Sequence, residues 1–331
     1  AHTVYRFGHS MLTKTMDRFD ADFNVVGGEH LSLVEAFLNP CAFLEGDDDC
    51  IPTLSPEEGA GAVIRGITRT RGNEIDEFVT SALQNNVYGL PLDLGAINIQ
   101  RTRDTGVPGL NDARKMFFAV TQDYRLQPYQ NWMDYADNLR HEASLVNFIA
   151  AYGTHVTLAG ADQQVGTADD PYQTFAERRA MACAIVSAVA HSGMAFCTDN
   201  GWNAPALVDP MAFLVPADAI DFLFSQNAYA NTAEGDSVTG VDVIDFWHGG
   251  IAEERMPFGG FLGSTHNYVF EKQAENLQNG DRMYYVARTG ATGMNLFNEL
   301  ESNSFTALAM RSSDMGTLGA GGLPINIFVT Q

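Results

Sequence analysis

The sequence has 331 residues, of which 45% are hydrophobic and 18% are charged, and these values are typical of a globular protein. The Lys and Arg residues number 19 against 41 Asp and Glu, and the resulting net charge of −22 repels nucleic-acid phosphates and anionic lipid headgroups. No apolar run approaches the roughly 20 residues that a membrane span requires, so we expect neither a nucleic-acid partner nor a membrane span.

The first 110 residues contain signals for both a strand and helices. The opening residues, HTVYRFGHSML, have the pattern of a helix already in progress. Phenylalanines and aspartates alternate over 16–26, which predicts a strand before the Gly27-Gly28 turn. Ser55 followed by Pro56 predicts a helix over 55–70, and a second helix is predicted over 74–84. Asp93 then caps a further helical segment.

Helices also dominate the remainder of the chain. The run AERRAMACAIVSAVA predicts a helix over 176–190, and a long helix is predicted over 264–279, with Gly280 stopping it. We find no sequence repeat and no stretch long enough to be a linker. The sequence therefore predicts one mainly α domain with few short strands.

The four cysteines fall into two close pairs, Cys41 with Cys50 and Cys183 with Cys197. Neither pair has the CxxC spacing of zinc or redox sites, which favours two local disulfides over four buried free thiols. Each disulfide would contribute about 3 kcal/mol by chain entropy, and both together indicate an oxidising, extracellular compartment.

Several segments along the chain carry a family resemblance. The segments YRFGHSML at 5–12 and LDLGAINIQRTRDTGVPG at 92–109 closely resemble the animal-type haem peroxidases, the family of myeloperoxidase and peroxidasin. Near the C-terminus, the IAE tripeptide at 251–253 and the GDR tripeptide at 280–282 continue the resemblance, which covers most of the chain. The segments LVNFIAAYGTH and SNSFTALAMRSSD resemble a secreted bacterial branch of this family.

The resemblance implies that His9 is the proximal histidine, which binds the haem iron. By itself, a histidine after Gly8 is more typical of a hydrogen-bonded core residue. Asn98 matches the residue that accepts the remaining ring N–H of that histidine, and a carboxamide oxygen is suited to fix its tautomer.

Four further residues would line the haem on the same side. Arg6 and Arg101 match the arginines near the propionates, where a guanidinium suits a carboxylate better than an ammonium does; structural salt bridges are the alternative. Leu94 and Ile97 would pack under the macrocycle, although core packing explains them equally well. We expect Asn98, Arg6 and Arg101 to support catalysis.

The family's distal half precedes the proximal histidine. Its distal histidine and arginine, its haem-linking carboxylates and its main calcium loop would lie before His9, and the chain begins only eight residues earlier. We therefore expect residues 1–331 to be the C-terminal part of one peroxidase domain. An upstream segment or companion chain would complete it around haem b, which the missing half can link covalently.

Calcium is a second predicted cofactor. The loop GADQQVGTADDP offers Asp162, Asp169 and Asp170 as hard oxygen ligands, although it lacks the order of an EF-hand. The Asp47-Asp48-Asp49 run is a weaker candidate. A plain solvated loop is the alternative in both places.

These observations predict a secreted haem peroxidase that uses hydrogen peroxide to oxidise halide, phenolic or Mn(II) substrates. A haem-dependent fatty-acid dioxygenase is one alternative, but its radical tyrosine would lie three residues before the proximal histidine, where Arg6 stands. A non-catalytic structural or adhesive module that retains the fold is the other.

Overall fold

The computed structural model describes residues 3–37, 39–46, 49–84, 90–189, 214–257, 259–286 and 289–316. Helices predominate throughout these ranges, which confirms the predicted mainly α class. The helices are, in chain order, α1 Gly8–Met11, α2 Leu33–Ala36, α3 Pro40–Phe43, α4 Pro56–Ile67, α5 Leu94–Asp104, α6 Leu110–Thr121, α7 Trp132–Ala136, α8 Ser144–Tyr152, α9 Val156–Ala159, α10 Phe175–Val186, α11 Ala219–Leu223, α12 Phe246–Ala252, α13 Ser264–Gly280, α14 Thr289–Glu301 and α15 Phe305–Arg311.

The chain divides into two compact units. The first unit comprises Ala1–Phe7, Ile75–Glu77 and Asn98–Glu271, and the second comprises Gly8–Glu74, Phe78–Ile97 and Lys272–Gln331. The prediction of one peroxidase domain stays a prediction.

The core of the first unit lies around α8 and α10. Helix α8, SLVNFIAAY, is apolar around most of its circumference, and such a helix is stable only when its neighbours cover it. Its residues Phe148 and Ile149 are 2% and 0% exposed and pack with Trp132, Tyr135 and Ile185 in one apolar cluster. This packing sets the position of the helices that follow.

In the second unit, β1 Thr15–Met16 pairs antiparallel with β2 Leu31–Ser32, which is the one sheet among the described residues. Helix α4 begins at a capping box in which Ser55 Oγ accepts from the Glu58 amide and Glu58 Oε2 accepts from the Ser55 amide. The helix predicted over 55–70 is confirmed, although it ends at residue 67.

Two further helix predictions are confirmed. Helix α10 begins at residue 175, where Thr174 and Glu177 form another capping box, and α13 occupies the predicted 264–279 range and includes Gly280. Helix α10 ends at Val186, so the prediction is wrong over 187–189, which form a turn, and its last residue, Ala190, lies outside the described residues.

The strand predicted over 16–26 is wrong beyond its first residue. Asp20 Oδ1 accepts from the amides of Asp22 and Asn24, at 2.9 and 2.8 Å, and Phe23 has a φ of 63°. Aspartate side chains that bind their own following amides favour turns over extended pairing. The chain therefore reverses here, leaving one isolated bridge between Phe19 and Val25.

The helix predicted over 74–84 is also wrong. This segment contains only a short 3₁₀ turn, Ser81–Leu83. The Ile75 carbonyl accepts from Arg140 Nη1 at 3.1 Å, and the Glu77 carboxylate is buried against the Ser144 hydroxyl. The first of these hydrogen bonds occupies a backbone carbonyl that a helix would pair internally, and the second buries a side chain of this segment against α8.

The disulfide between Cys41 and Cys50 is confirmed, with a Cα–Cα distance of 5.3 Å. Cys183 is also disulfide-bonded, and its predicted partner, Cys197, lies outside the described residues. Within the described ranges, no helix is long and apolar enough to cross a bilayer.

Candidate functional site

The residues just before His9 are anchored in an apolar and aromatic cluster of the first unit. Val4 is 2% exposed and belongs to the cluster that contains Trp247. The rings of Tyr5 and Phe7 lie against the ring of Phe270, with centroid distances of 5.2 and 6.1 Å. The backbone of the residue between them is therefore held in place.

That intervening residue, Arg6, contacts Asn98. Arg6 Nη1 donates to Asn98 Oδ1 at 3.0 Å, and the Asn98 side chain is fully buried. The structure thus brings together two of the predicted site residues, which are 92 positions apart in the sequence. Since an amide oxygen has two lone pairs, Asn98 can accept a second donor in addition to Arg6.

His9 lies in the short helix α1 of the second unit and is half-buried. A side chain at the preceding residue, Gly8, would meet no atom of the described residues within 4 Å. A glycine beside such open space lets a flat group approach the backbone. Open space therefore lies beside the backbone at the residue before His9.

Helix α5 carries the other predicted residues. Its start is capped as predicted, because Asp93 Oδ1 accepts from the Ala96 amide at 2.9 Å. The predicted site residues of α5 differ in their exposure to solvent. Leu94 and Ile97 are half-buried, whereas Arg101 is exposed.

An ion pair that sequence reasoning missed holds the end of this helix. Arg103 forms a two-pronged pair with Asp245, with Nε–Oδ1 and Nη2–Oδ2 distances of 2.7 and 2.6 Å. The Tyr152 hydroxyl donates to the same carboxylate at 2.8 Å. Arg103 stands in the TRD triplet directly after the NIQR motif, which is the one sequence signal for this pair. The partner of Arg103 could not be found from that signal, because it lies 142 residues away.

A second missed network surrounds Glu253, the last residue of the IAE tripeptide. Arg114 Nη1 donates to Glu253 Oε1 at 2.8 Å, and both side chains are almost fully buried. The Tyr129 hydroxyl and the Thr265 amide also donate to this carboxylate, at 2.9 and 2.8 Å. The network forms one wall of a polar cavity of about 570 Å³.

Two histidines in the first unit, the half-buried His248 and the fully buried His266, are neutral at neutral pH. Burial lowers the pKa of His248 and of His266 to about 4. His266 Nε2 lies 3.2 Å from the Phe246 carbonyl oxygen, which favours the tautomer with its proton on that nitrogen. Neither residue can therefore serve as a proton donor near pH 7.

The predicted calcium loop is held by its own hydrogen bonds. Asp169 Oδ2 accepts from the Ala161 amide at 3.0 Å, and Asp170 Oδ2 pairs with Arg178 Nη1 at 3.1 Å. Within the described ranges, Asp162, Asp169 and Asp170 do not form a group whose ligand oxygens lie within 4.8 Å of one another. Calcium binding here stays a prediction. Asp47 and Asp48 lie outside the described residues.

Comparison with known proteins identifies the family. The sequence matches the model of the animal haem peroxidase family over residues 1–190 and 236–318. It is 34% identical to human peroxidasin homolog over 115 residues, which cover 34% of this chain and 7% of that protein. It is 28% identical to peroxinectin A of Dictyostelium discoideum over 149 residues, which cover 44% of this chain and 24% of that protein.

The fold is also shared with a solved structure. Peroxidase A from Dictyostelium discoideum superposes with a TM-score of 0.52 at 19% identity, covering 94% of this chain and 39% of that one. The chain thus spans less than half the length of each of these proteins. Because the family model matches well over half of its residues, the chain belongs to the animal haem peroxidase family.

Proposed function

We propose that this chain provides the proximal side of a haem site in a peroxidase that reduces hydrogen peroxide and oxidises a small-molecule reductant. The hydrogen bond between Arg6 and Asn98 carries the proposal. It joins the RFGH and NIQR segments, which are the two segments with the most specific family motif.

The side chains available fit haem b, which presents one metal ion and two carboxylates. His9 supplies an imidazole beside the open space at Gly8, and imidazole is a common axial ligand of haem iron. Arg101 supplies an exposed guanidinium near the end of α5, and a guanidinium is suited to pair with a propionate. These side chains are of the types that the iron and the carboxylates of haem would need on the proximal side.

Bound haem supplies the redox chemistry, with hydrogen peroxide as the oxidant. His9 would hold the iron, and Asn98 would accept the other ring N–H of His9, which would fix the tautomer and raise the basicity of the ligand. Arg6 holds the Asn98 amide in one orientation. In addition to this contact, Arg6 can use its other N–H groups to bind a propionate.

Leu94 and Ile97 provide apolar side chains on the proximal side. Both are half-buried on the helix that carries Asn98, so each retains surface that a bound macrocycle could cover. Covering these side chains would exclude water from the proximal side and tune the reduction potential.

A further segment of the protein, or a companion chain, is proposed to carry the distal side. Helices α13 to α15 expose many large apolar side chains in the second unit. Examples of 46 to 60% exposure are Leu277, Met294, Leu300, Phe305 and Leu308. Exposed apolar surface of this kind is typical of an interaction face.

The distal segment would position the acid–base group for peroxide cleavage and select the reductant. We infer that the reductant is a halide, a phenol or Mn(II). Calcium at Asp162, Asp169 and Asp170, and secretion, complete the proposal. The disulfide-bonded cysteines support an oxidising compartment.

The dioxygenase alternative is disfavoured by the residue at position 6. A radical tyrosine would be needed there, but an arginine occupies the position and its guanidinium binds Asn98. The neighbouring Tyr5 packs its ring against Phe270. We retain the peroxidase proposal.

Haem titration tests this function and the non-catalytic alternative together. The protein should acquire the absorption spectrum of histidine-ligated haem, and His9→Ala should abolish that spectrum. His30→Gln, in the same unit, serves as the control and should leave the spectrum unchanged. A His9→Ala protein with the wild-type spectrum, or a wild-type protein that binds no haem, would contradict the proposal.

A further inference from the structure

We propose that Asp245 and Tyr152 are positioning residues, which act through Arg103 to hold helix α5 and thereby set the Asn98 carboxamide. This inference deepens the proposed function. The part that concerns the position of helix α5 does not depend on haem, and only the part that concerns the haem rests on the proposed function. It concerns a carboxylate that matches none of the residues implied by the family motif.

The contacts at Asp245 have the geometry of a rigid clamp. Both carboxylate oxygens accept from the Arg103 guanidinium, at 2.7 and 2.6 Å, in the paired arrangement that fixes direction as well as distance. Tyr152 adds a third hydrogen bond at 2.8 Å. Burial raises the pKa of the Tyr152 hydroxyl, which therefore keeps its proton and remains a donor.

This one carboxylate joins three helices of the first unit. Arg103 lies in the last turn of α5, Tyr152 is the final residue of α8, and Asp245 immediately precedes α12. The Gly249 amide also donates to the Asp245 carbonyl oxygen at 2.9 Å, which ties the backbone of Asp245 to the first turn of α12. These hydrogen bonds thereby hold the end of helix α5 in position against the core around α8.

The clamp and the Asn98 carboxamide are on different sides of the same helix. Arg103 lies five positions after Asn98, which corresponds to a rotation of about 140° around the helix axis and a rise of about 7.5 Å along it. Arg103 is 61% exposed, whereas Asn98 is fully buried. A helix held on its outer side by Asp245 cannot roll about its axis, and rolling is the motion that would move Asn98 away from Arg6.

The clamp is more than a surface ion pair. Exposed pairs contribute about 0 to 1 kcal/mol because solvent competes for both partners. The Asp245 side chain is only 8% exposed, and its three hydrogen bonds leave little access to water. Loss of Arg103 would leave the nearly buried Asp245 carboxylate with the Tyr152 hydroxyl as its one remaining side-chain donor. The C-terminal end of α5 should then no longer be held against this carboxylate.

Three variants test the proposal. Asp245→Asn removes the charge at constant volume, Arg103→Lys keeps the charge but cannot form the paired contact, and Tyr152→Phe removes one donor. The matched control is Arg125→Lys, because Arg125 forms the same two-pronged contact with Asp123 at the surface of the same unit. All four proteins are compared with the wild type.

The first measurement is amide hydrogen exchange over α5 in the protein without haem. We expect exchange at residues 98–103 to accelerate at least tenfold in Asp245→Asn and Arg103→Lys, less in Tyr152→Phe, and not at all in Arg125→Lys. Wild-type exchange rates in folded Arg103→Lys would overturn the proposal, even if Asp245→Asn fails to fold.

The second measurement is the Fe(III)/Fe(II) potential of the haem-bound proteins. The potential should shift in Asp245→Asn and Arg103→Lys in the direction found for an Asn98 variant. Faster exchange with an unchanged potential would overturn the positioning role, because the clamp would then only stabilise the fold. If the wild type binds no haem, the proposed function fails, and hydrogen exchange alone decides whether Asp245 holds α5.

Discussion

The Arg6 guanidinium donates to the Asn98 carboxamide oxygen at 3.0 Å, so the residue three positions before His9 orients the residue proposed to orient His9. The Asn98 oxygen that accepts from Arg6 is the same atom that the family resemblance assigns as the acceptor for the ring N–H of His9. A buried amide oxygen with two donors is held more firmly than with one, since neither rotation nor water can replace both bonds.

Changing Asn98 to Leu should leave some haem bound but raise the Fe(III)/Fe(II) potential, because the histidine ligand loses an acceptor and becomes less basic. Arg6→Ala should shift the potential in the same direction and also lower haem retention. The changes in potential caused by the two substitutions should not be additive in the double variant. The coupling free energy between Arg6 and Asn98 should be about 1 to 2 kcal/mol. Equal potentials in wild type and Asn98→Leu would refute the role of this bond.

Residues 1–331 expressed alone should show little peroxidase turnover even when they bind haem. Peroxide cleavage requires an acid–base group held above the iron, and we assign that group to a separate distal segment. Co-expression with the proposed distal segment or companion chain should restore turnover and solubility. The prediction fails if the isolated chain turns over as fast as the reconstituted protein.

Removing Arg114 should destabilise the first unit strongly. Arg114→Met leaves the Glu253 carboxylate buried without its cation, and breaking a buried pair costs about 3 to 5 kcal/mol. The control is Lys115→Met, the next residue of α6, whose ammonium is 33% exposed and which should cost less than about 1 kcal/mol. Urea unfolding measures both, and similar losses would count against the network.

Glu77 should make stability depend on pH near neutrality. Burial raises the pKa of its carboxyl to about 7 from 4.5, so between these values the folded chain holds a proton that the unfolded chain has released. The free energy of unfolding should therefore fall as pH rises from about 4.5 through about 7, by at most about 1.4 kcal/mol per pH unit.

Glu77→Gln should remove this dependence and gain stability over the wild type as pH rises. Glu142→Gln, an exposed change nearby in the same unit, should retain the wild-type slope. Thermal unfolding between pH 5 and pH 8 measures the difference. Parallel curves for wild type and Glu77→Gln would show that Glu77 does not titrate in this range.

The helices that could be predicted are those whose starts are encoded locally. Ser55 with Glu58, Thr174 with Glu177, and Asp93 each place an acceptor next to amides that a helix leaves unpaired, so a few consecutive residues decide where the helix begins. The family motif is also local, and it placed Arg6, Asn98 and His9 among the candidates.

Segments whose hydrogen bonds go to distant residues could not be predicted. The pattern over 74–84 predicts a helix, but in the structure the Ile75 carbonyl accepts from Arg140 and the Glu77 carboxylate is buried against Ser144, 65 and 67 positions away. Over 16–26 the error was local, since the turn-forming aspartates outweighed the alternation of apolar residues.

By itself, therefore, the sequence determined the helical class and the family, and it named the candidate residues of the proximal site, because capping and motif spacing depend on near neighbours. Only the tertiary structure paired Arg6 with Asn98, Arg103 with Asp245 and Arg114 with Glu253, across 92, 142 and 139 residues. Charge and spacing cannot choose among 19 cations and 41 acids. The choice is made by packing, because the fold decides which polar groups come within hydrogen-bond distance of one another.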